Sequence, residues 1–166
     1  WLNARGAIAR FERSAIEIRI IDMQECSKAD LAIAAGITAV LKAIVEEKWC
    51  DFPNQASWQV KPLKNILLDT VREAEDAVIA DRDYLESFGI YGQKSMTAGE
   101  LWRHLAEEIV IDKNLAGTFD KIVKNGSLAR RILRSLDGEI TRQNLERVYR
   151  ELSECLQKNS LFLPLF

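Results

Sequence analysis

Two hydrophobic rhythms divide the chain. Over residues 14–22 apolar and polar positions alternate, with Ile16, Ile18 and Ile20 on one side and Glu17 and Arg19 on the other. That period of two predicts a β-strand with one buried apolar face and one polar face. Residues 1–10 carry a weaker version and supply a candidate partner strand. From Ser27 onward the period becomes helical. Residues 30–48 hold Leu31, Ile33, Ile37, Val40, Leu41, Ile44 and Val45. The first half of this segment is apolar on nearly all sides, which predicts a central, buried helix.

Residues 49–61, with Pro53 and Asn54 and with Pro62 just beyond, read as a loop. A long helix is predicted over 62–88, its stripe formed by Leu63, Leu67, Val71, Ala74, Val78 and Leu85 and its end marked by Gly89 and Gly92. Thr97 and Glu100 have the spacing of a capping box and open a helix that runs to Val110. A short helix over 114–124 stops at Asn125-Gly126, and another over 128–136 stops near Gly138. Thr141 caps the last helix, which carries Leu145, Val148, Tyr149, Leu152 and Leu156 on one face. The expected fold is therefore mainly α: one or two N-terminal strands, then about six helices in an irregular bundle.

Composition narrows the function classes. With 166 residues, 48% hydrophobic and 29% charged, the chain resembles an ordinary globular domain. A formal charge of −2 gives no field that favours nucleic acid or an acidic membrane surface, and no uncharged run is long enough to suggest a membrane span. Three scattered cysteines (Cys26, Cys50, Cys155), a lone His104 and no CxxC argue against a disulfide framework or a zinc site, and fit a reducing cytoplasm. The opening, Trp1-Leu2-Asn3-Ala4-Arg5, reads as the interior of a longer polypeptide.

The sharpest chemical feature is Glu17 and Arg19, same-face neighbours on the strand, with Asp22 and Glu25 following and Arg5, Arg10 and Arg13 nearby. A carboxylate can hold Mg²⁺, which prefers hard oxygen ligands. A guanidinium fork can grip a phosphate or a carboxylate. The bland alternative is a solvated ion pair on a half-exposed sheet. His104 reads as structural, and Cys26 as a small residue at a strand–helix junction. Residues 124–150 are rich in arginine (Arg130, Arg131, Arg134, Arg142, Arg147, Arg150) but interrupted by Asp137, Glu139 and Glu146. They read as a solvated helix face rather than a nucleic-acid surface.

Three runs together resemble the bacterial and plant-type glutamate–cysteine ligase family, which includes the carboxylate–amine ligases. They are Asn3-Ala-Arg5 with Ala9-Arg10-Phe11, the Glu17, Arg19, Asp22 strand followed by its apolar helix, and Gly126-Ser-Leu-Ala-Arg-Arg-Ile-Leu133 with the last helix and Leu161-Phe162. The middle, 50–125, matches only in helical character. The resemblance implies the C-terminal part of an α+β, glutamine-synthetase-like fold, with residues 1–25 as a remnant of the catalytic sheet and 26–166 as the helical region. It implies ATP and Mg²⁺ as cofactors and glutamate as the acid substrate, whose γ-carboxylate is phosphorylated and then attacked by an amine. Arg5, Arg10 and Arg19 become candidates for holding phosphate or carboxylate, and Glu17 for holding the metal. Most of the catalytic sheet is absent and no Gly-rich phosphate loop occurs, so the chain alone is expected to be inactive. The loss of that sheet would bare Ile16, Ile18 and Ile20 and favour a homodimer. The alternative function is a non-catalytic helical interaction module.

Overall fold

The computed structural model describes residues 6–164. Arg5 lies outside the described residues. The chain begins with an antiparallel hairpin of β1 (Ala7–Arg10) and β2 (Ala15–Ile18), in which Ile8 stands opposite Glu17 and Arg10 opposite Ala15. A single 3₁₀ turn, Phe11–Arg13, reverses the chain, and Ser14 closes it in the left-handed conformation with φ 47°. The alternation is real, but the paired strand stops at Ile18, short of the predicted 22. Its apolar face is not buried: Ile16 is 58% and Ile20 56% exposed. Alternation marks a face that can be covered; burial requires a second layer, and the described residues supply none over these two side chains.

Helix α1 (Ser27–Val45) buries Ala29, Ala32, Gly36, Val40 and Ala43. The buried residues are small because α6 (Lys113–Asn125) crosses close by: the Phe119 ring fills the space that a side chain at position 36 would need. The expectation of burial all round is corrected here. Leu31 and Val45 are 59% and 79% exposed.

The predicted loop at 49–61 contains helix α2 (Phe52–Ser57), started by Asp51, whose carboxylate accepts the Asn54 N–H at 3.0 Å. A helix this short has no readable period. The predicted helix over 62–88 is four elements: α3 (Val60–Glu73), a 3₁₀ turn (Ala74–Asp76), β3 (Val78–Ile79) and α4 (Arg82–Glu86). Ala74, at φ 51°, breaks the helix. The break lets β3 pair with β4 (Met96–Thr97) and carries Ala77, Ile79 and Leu85 into one core with Val40, Leu101 and Leu105. Burial of that set overrides the continuous helical pattern.

The second half follows the pattern closely. Helix α5 (Ala98–Glu108) starts at the expected capping box: Thr97 Oγ1 accepts the Glu100 N–H at 3.2 Å, and Glu100 Oε2 accepts the Thr97 N–H at 2.7 Å. Helix α6 stops at Gly126, whose φ of 83° a side chain would resist. Helices α7 (Leu128–Leu136) and α8 (Arg142–Lys158) pack together around Leu136, Val148 and Phe162. The inward stripe of α8 is Leu145, Val148, Leu152 and Cys155. Tyr149 and Leu156, expected on it, are 62% and 61% exposed, because α7 and the C-terminal tail cover only one side of the helix. The described residues thus form eight helices, rather than about six, and the fold is mainly α. No helix among the described residues is long and apolar enough to cross a membrane.

Candidate functional site

The hairpin register sets the geometry of the charged face. Arg10 on β1 lies diagonally across from Glu17 on β2, within reach of a long side chain, and Arg19 is Glu17's same-face neighbour. The result is a closed triad. Arg10 Nε donates to Glu17 Oε2 at 2.6 Å, and Arg19 Nε donates to Glu17 Oε1 at 2.6 Å. The hydrogen bond from Arg19, then that from Arg10, holds the Glu17 carboxyl at about 2, far below its usual 4.5. All three side chains keep a quarter or more of their surface in solvent. The triad therefore holds charge ready at an open surface, with two cations around one anion.

Asp22, the third residue of the motif, lies beyond the strand, and its carboxylate makes no hydrogen bond or ion pair with a described residue. Arg13 sits exposed in the reversing turn. The described residues contain no cluster of three metal-ligating side chains. Glu17 offers one carboxylate, and both its oxygens are held by guanidinium groups. On this geometry the described residues do not complete a magnesium site.

Two polar arrangements escaped the sequence reading. The first is a buried ion pair. Arg131, 1% exposed, donates through Nη1 to Glu25 Oε1 at 2.5 Å and to the Phe162 carbonyl at 2.7 Å, and through Nε to the Gly126 carbonyl at 3.1 Å. Glu25 Oε1 also accepts the Phe162 N–H at 2.9 Å. This corrects the reading of Arg131 as part of a solvated face. The signal was present: helical spacing puts Arg131 on the side of α7 shared by Leu128, Ile132 and Leu136.

The second is a polar cleft of about 740 Å³ between the 3₁₀ turn after α3 and helices α5 to α7. Arg130 Nη2 meets Asp76 at 2.6 Å, and Glu75, which also accepts from Ser127 Oγ at 3.3 Å, stands between Arg130 and Arg134. Another cleft, of about 690 Å³, lies between α7, α8 and the tail. Neither reaches Arg10, Glu17 or Arg19. His104 is structural, its Nε2 lying 3.1 Å from the Phe88 carbonyl. Cys26 is 1% exposed at the start of α1, and burial pushes the Cys155 thiol up.

A helical domain carrying an acid–base β-hairpin is the class these observations define. The sequence profile of glutamate–cysteine ligase family 2 matches residues 1–151, and the chain belongs to that family. An uncharacterized protein of Archaeoglobus fulgidus is 28% identical to it over 172 residues, a stretch that covers 98% of this chain. The chain spans 38% of the length of that relative. No solved structure matches the chain.

Proposed function

We propose that this chain is one part of an ATP-dependent carboxylate–amine ligase whose acid substrate is glutamate, and that its hairpin lines the cleft where anionic groups are held. The observation that carries the reading is the triad, a carboxylate gripped by two arginines on the exposed face of a strand, in a chain of this family. In the absence of ligand, the Glu17 carboxylate occupies the fork that a substrate carboxylate or phosphate oxygen would take. An arriving anion exchanges with it, so that Arg10 and Arg19 turn from Glu17 to the ligand.

In the reaction proposed, a γ-carboxylate oxygen of glutamate attacks the terminal phosphorus of ATP and ADP leaves. The amine then attacks the acyl phosphate carbon, and inorganic phosphate departs. Arg10 and Arg19 serve this chemistry by orienting and neutralising the transferred group, which is most of what phosphoryl transfer asks of a protein. Arg5 belongs with them in this reading. Mg²⁺ would supply charge neutralisation on the phosphates when bound. Glu17 would contribute a single ligand, with the remainder coming from polypeptide beyond this chain. Residues 1–25 are read as a part of the catalytic sheet and 26–166 as the helical region beside it, in a cytoplasmic protein. The chain by itself does not turn over substrate.

The test is ADP release dependent on glutamate and an amine, measured in a longer protein that carries this segment. Arg19→Ala should lower the rate about 100-fold, the order expected when one aligned charge donor is lost, and Glu17→Ala should lower it by removing the carboxylate ligand, each with the circular dichroism spectrum unchanged. Rates within twofold of the parent would remove the hairpin from the reaction.

The second reading is a non-catalytic helical interaction module. It is favoured by one observation: the helical region has its own buried clusters, and neither cleft described above touches the hairpin. Full activity in a longer protein with the triad removed would support it.

A further inference from the structure

The cleft between the 3₁₀ turn after α3 and helices α5 to α7 has no part in the chemistry proposed for the triad. Its volume, about 740 Å³, is that of an ordinary small-molecule site. Part of its lining rests on strained backbone. Ala74, at φ 51° and ψ −128°, takes a conformation that is costly for a residue with a side chain, and strain of this kind gathers at binding and catalytic sites. The two residues that follow, Glu75 and Asp76, both line the cleft. The Glu75 carboxylate lies against Gly126, where a Cβ would overlap it, so the glycine makes room for the acid.

The charges around the cleft do not cancel. Asp76 is answered by Arg130 Nη2 at 2.6 Å, and Glu75 by Arg130 Nε at 3.8 Å and Arg134 Nη2 at 3.9 Å. Three other lining groups are left over. The Lys124 ammonium, in the last turn of α6, makes no hydrogen bond or ion pair with a described residue. Arg103, on α5, donates through Nε to the Gly99 carbonyl at 3.2 Å, and no described residue accepts from its two Nη groups. Its charge also reaches Glu100, whose carboxylate is engaged by the Thr97 N–H and hydroxyl. Asp137 ends α7 at φ 47°, and its carboxylate has no partner among the described residues. Beside it, a Cβ at Gly138 would meet only open space. The surplus is two positive charges and one negative, brought to one cleft by three successive helices.

A single exposed charge signifies little, because water solvates it. Here both signs line the same cleft without pairing, so a ligand with the complementary charges can bridge them through charge-assisted hydrogen bonds. We propose that this cleft binds a small amino dicarboxylate, a molecule with two carboxylates and one ammonium. The carboxylates go to Arg103 and Lys124, and the ammonium to Asp137. A phosphate or a plain dicarboxylate would set an anion against Asp137, and a ligand with one carboxylate would leave a cation unmet. The site shares no residue with the triad and does not depend on the ligase reading.

The test titrates the 166-residue chain with L-glutamate and, in parallel, with glutarate, which has both carboxylates and no ammonium. Binding is read by calorimetry and by amide NMR shifts. Saturable binding of L-glutamate is expected, with shifts at Gly99, Asn125 and Gly138. Lys124→Ala and Arg103→Ala should each weaken it about tenfold, the scale of one charge-assisted hydrogen bond. Glutarate should bind about tenfold more weakly than L-glutamate, and Asp137→Asn should remove that difference. All three side chains are exposed, so the variants should keep the parent's circular dichroism spectrum. Arg142→Ala, at the exposed start of α8, should leave the affinity unchanged. The proposal is overturned if L-glutamate does not bind saturably or if glutarate binds as tightly. It is also overturned if the shifts lie only in residues 7–19 and survive Lys124→Ala, an outcome that would favour the ligase reading while removing this site.

Discussion

Removing the Glu25 carboxylate should be among the most damaging single changes in this molecule. Glu25 and Arg131 are both enclosed, at 5% and 1% exposure, and their contacts join three segments remote in sequence: the end of the N-terminal region, α7 and the C-terminal tail. In Glu25→Ala the guanidinium stays buried with only the Phe162 and Gly126 carbonyls as partners, and the Phe162 N–H loses its acceptor. Breaking a buried pair from one side in this way costs about 3–5 kcal/mol. Against a total stability of about 5–15 kcal/mol that is a large fraction, and it corresponds to a fall in Tm of about 6–20 °C for a chain of this size. The assay is urea unfolding followed by circular dichroism at 222 nm, with the slope m used to check that the denatured state is unchanged. The double variant Glu25→Leu/Arg131→Met replaces both charges with apolar groups and should recover most of the loss. A cost below about 1 kcal/mol for Glu25→Ala would refute the reasoning, since a desolvated arginine left without a counter-charge cannot be that cheap. So would a double variant no more stable than the single one.

Three further outcomes follow from the geometry. The Glu17 carboxyl, followed by carbon-detected NMR, should titrate near 2; because the folded value lies below the unfolded one, its contribution to stability is complete above about pH 4.5 and fades as pH falls toward 2. Arg19→Gln should move the midpoint upward more than Arg10→Gln, and a midpoint insensitive to both would dissolve the triad. Gly36→Ala forces a methyl group into the Phe119 ring and should cost about 1–3 kcal/mol by overpacking, with Phe119→Leu restoring part of it; a neutral Gly36→Ala would mean α1 and α6 are not in close contact. Thr97→Ala removes the side-chain half of the box that starts α5 and should cost about 1 kcal/mol, seen as a lower urea midpoint at constant m.

The sequence alone determined the elements whose signals are local. The capping box at Thr97 and Glu100, the stop at Gly126, the run of helices through α8 and the charged face of the hairpin were all readable, because each depends on groups within a few residues of one another. Glu17 and Arg19 were visible as same-face neighbours for the same reason. Arg10 joined them only through hairpin register, which pairs positions seven residues apart.

Tertiary structure decided the rest. The helical pattern continued through 62–88, yet the chain breaks at Ala74, because Ala77, Ile79 and Leu85 bury together with residues of α1 and α5. Arg131 looked like one more solvated arginine until Glu25, 106 positions earlier, was brought against it. Which of two apolar faces on α1 is buried was likewise undetermined by periodicity. The approach of α6 and its Phe119 ring chose the face of small residues, since only there can two helix backbones come so close.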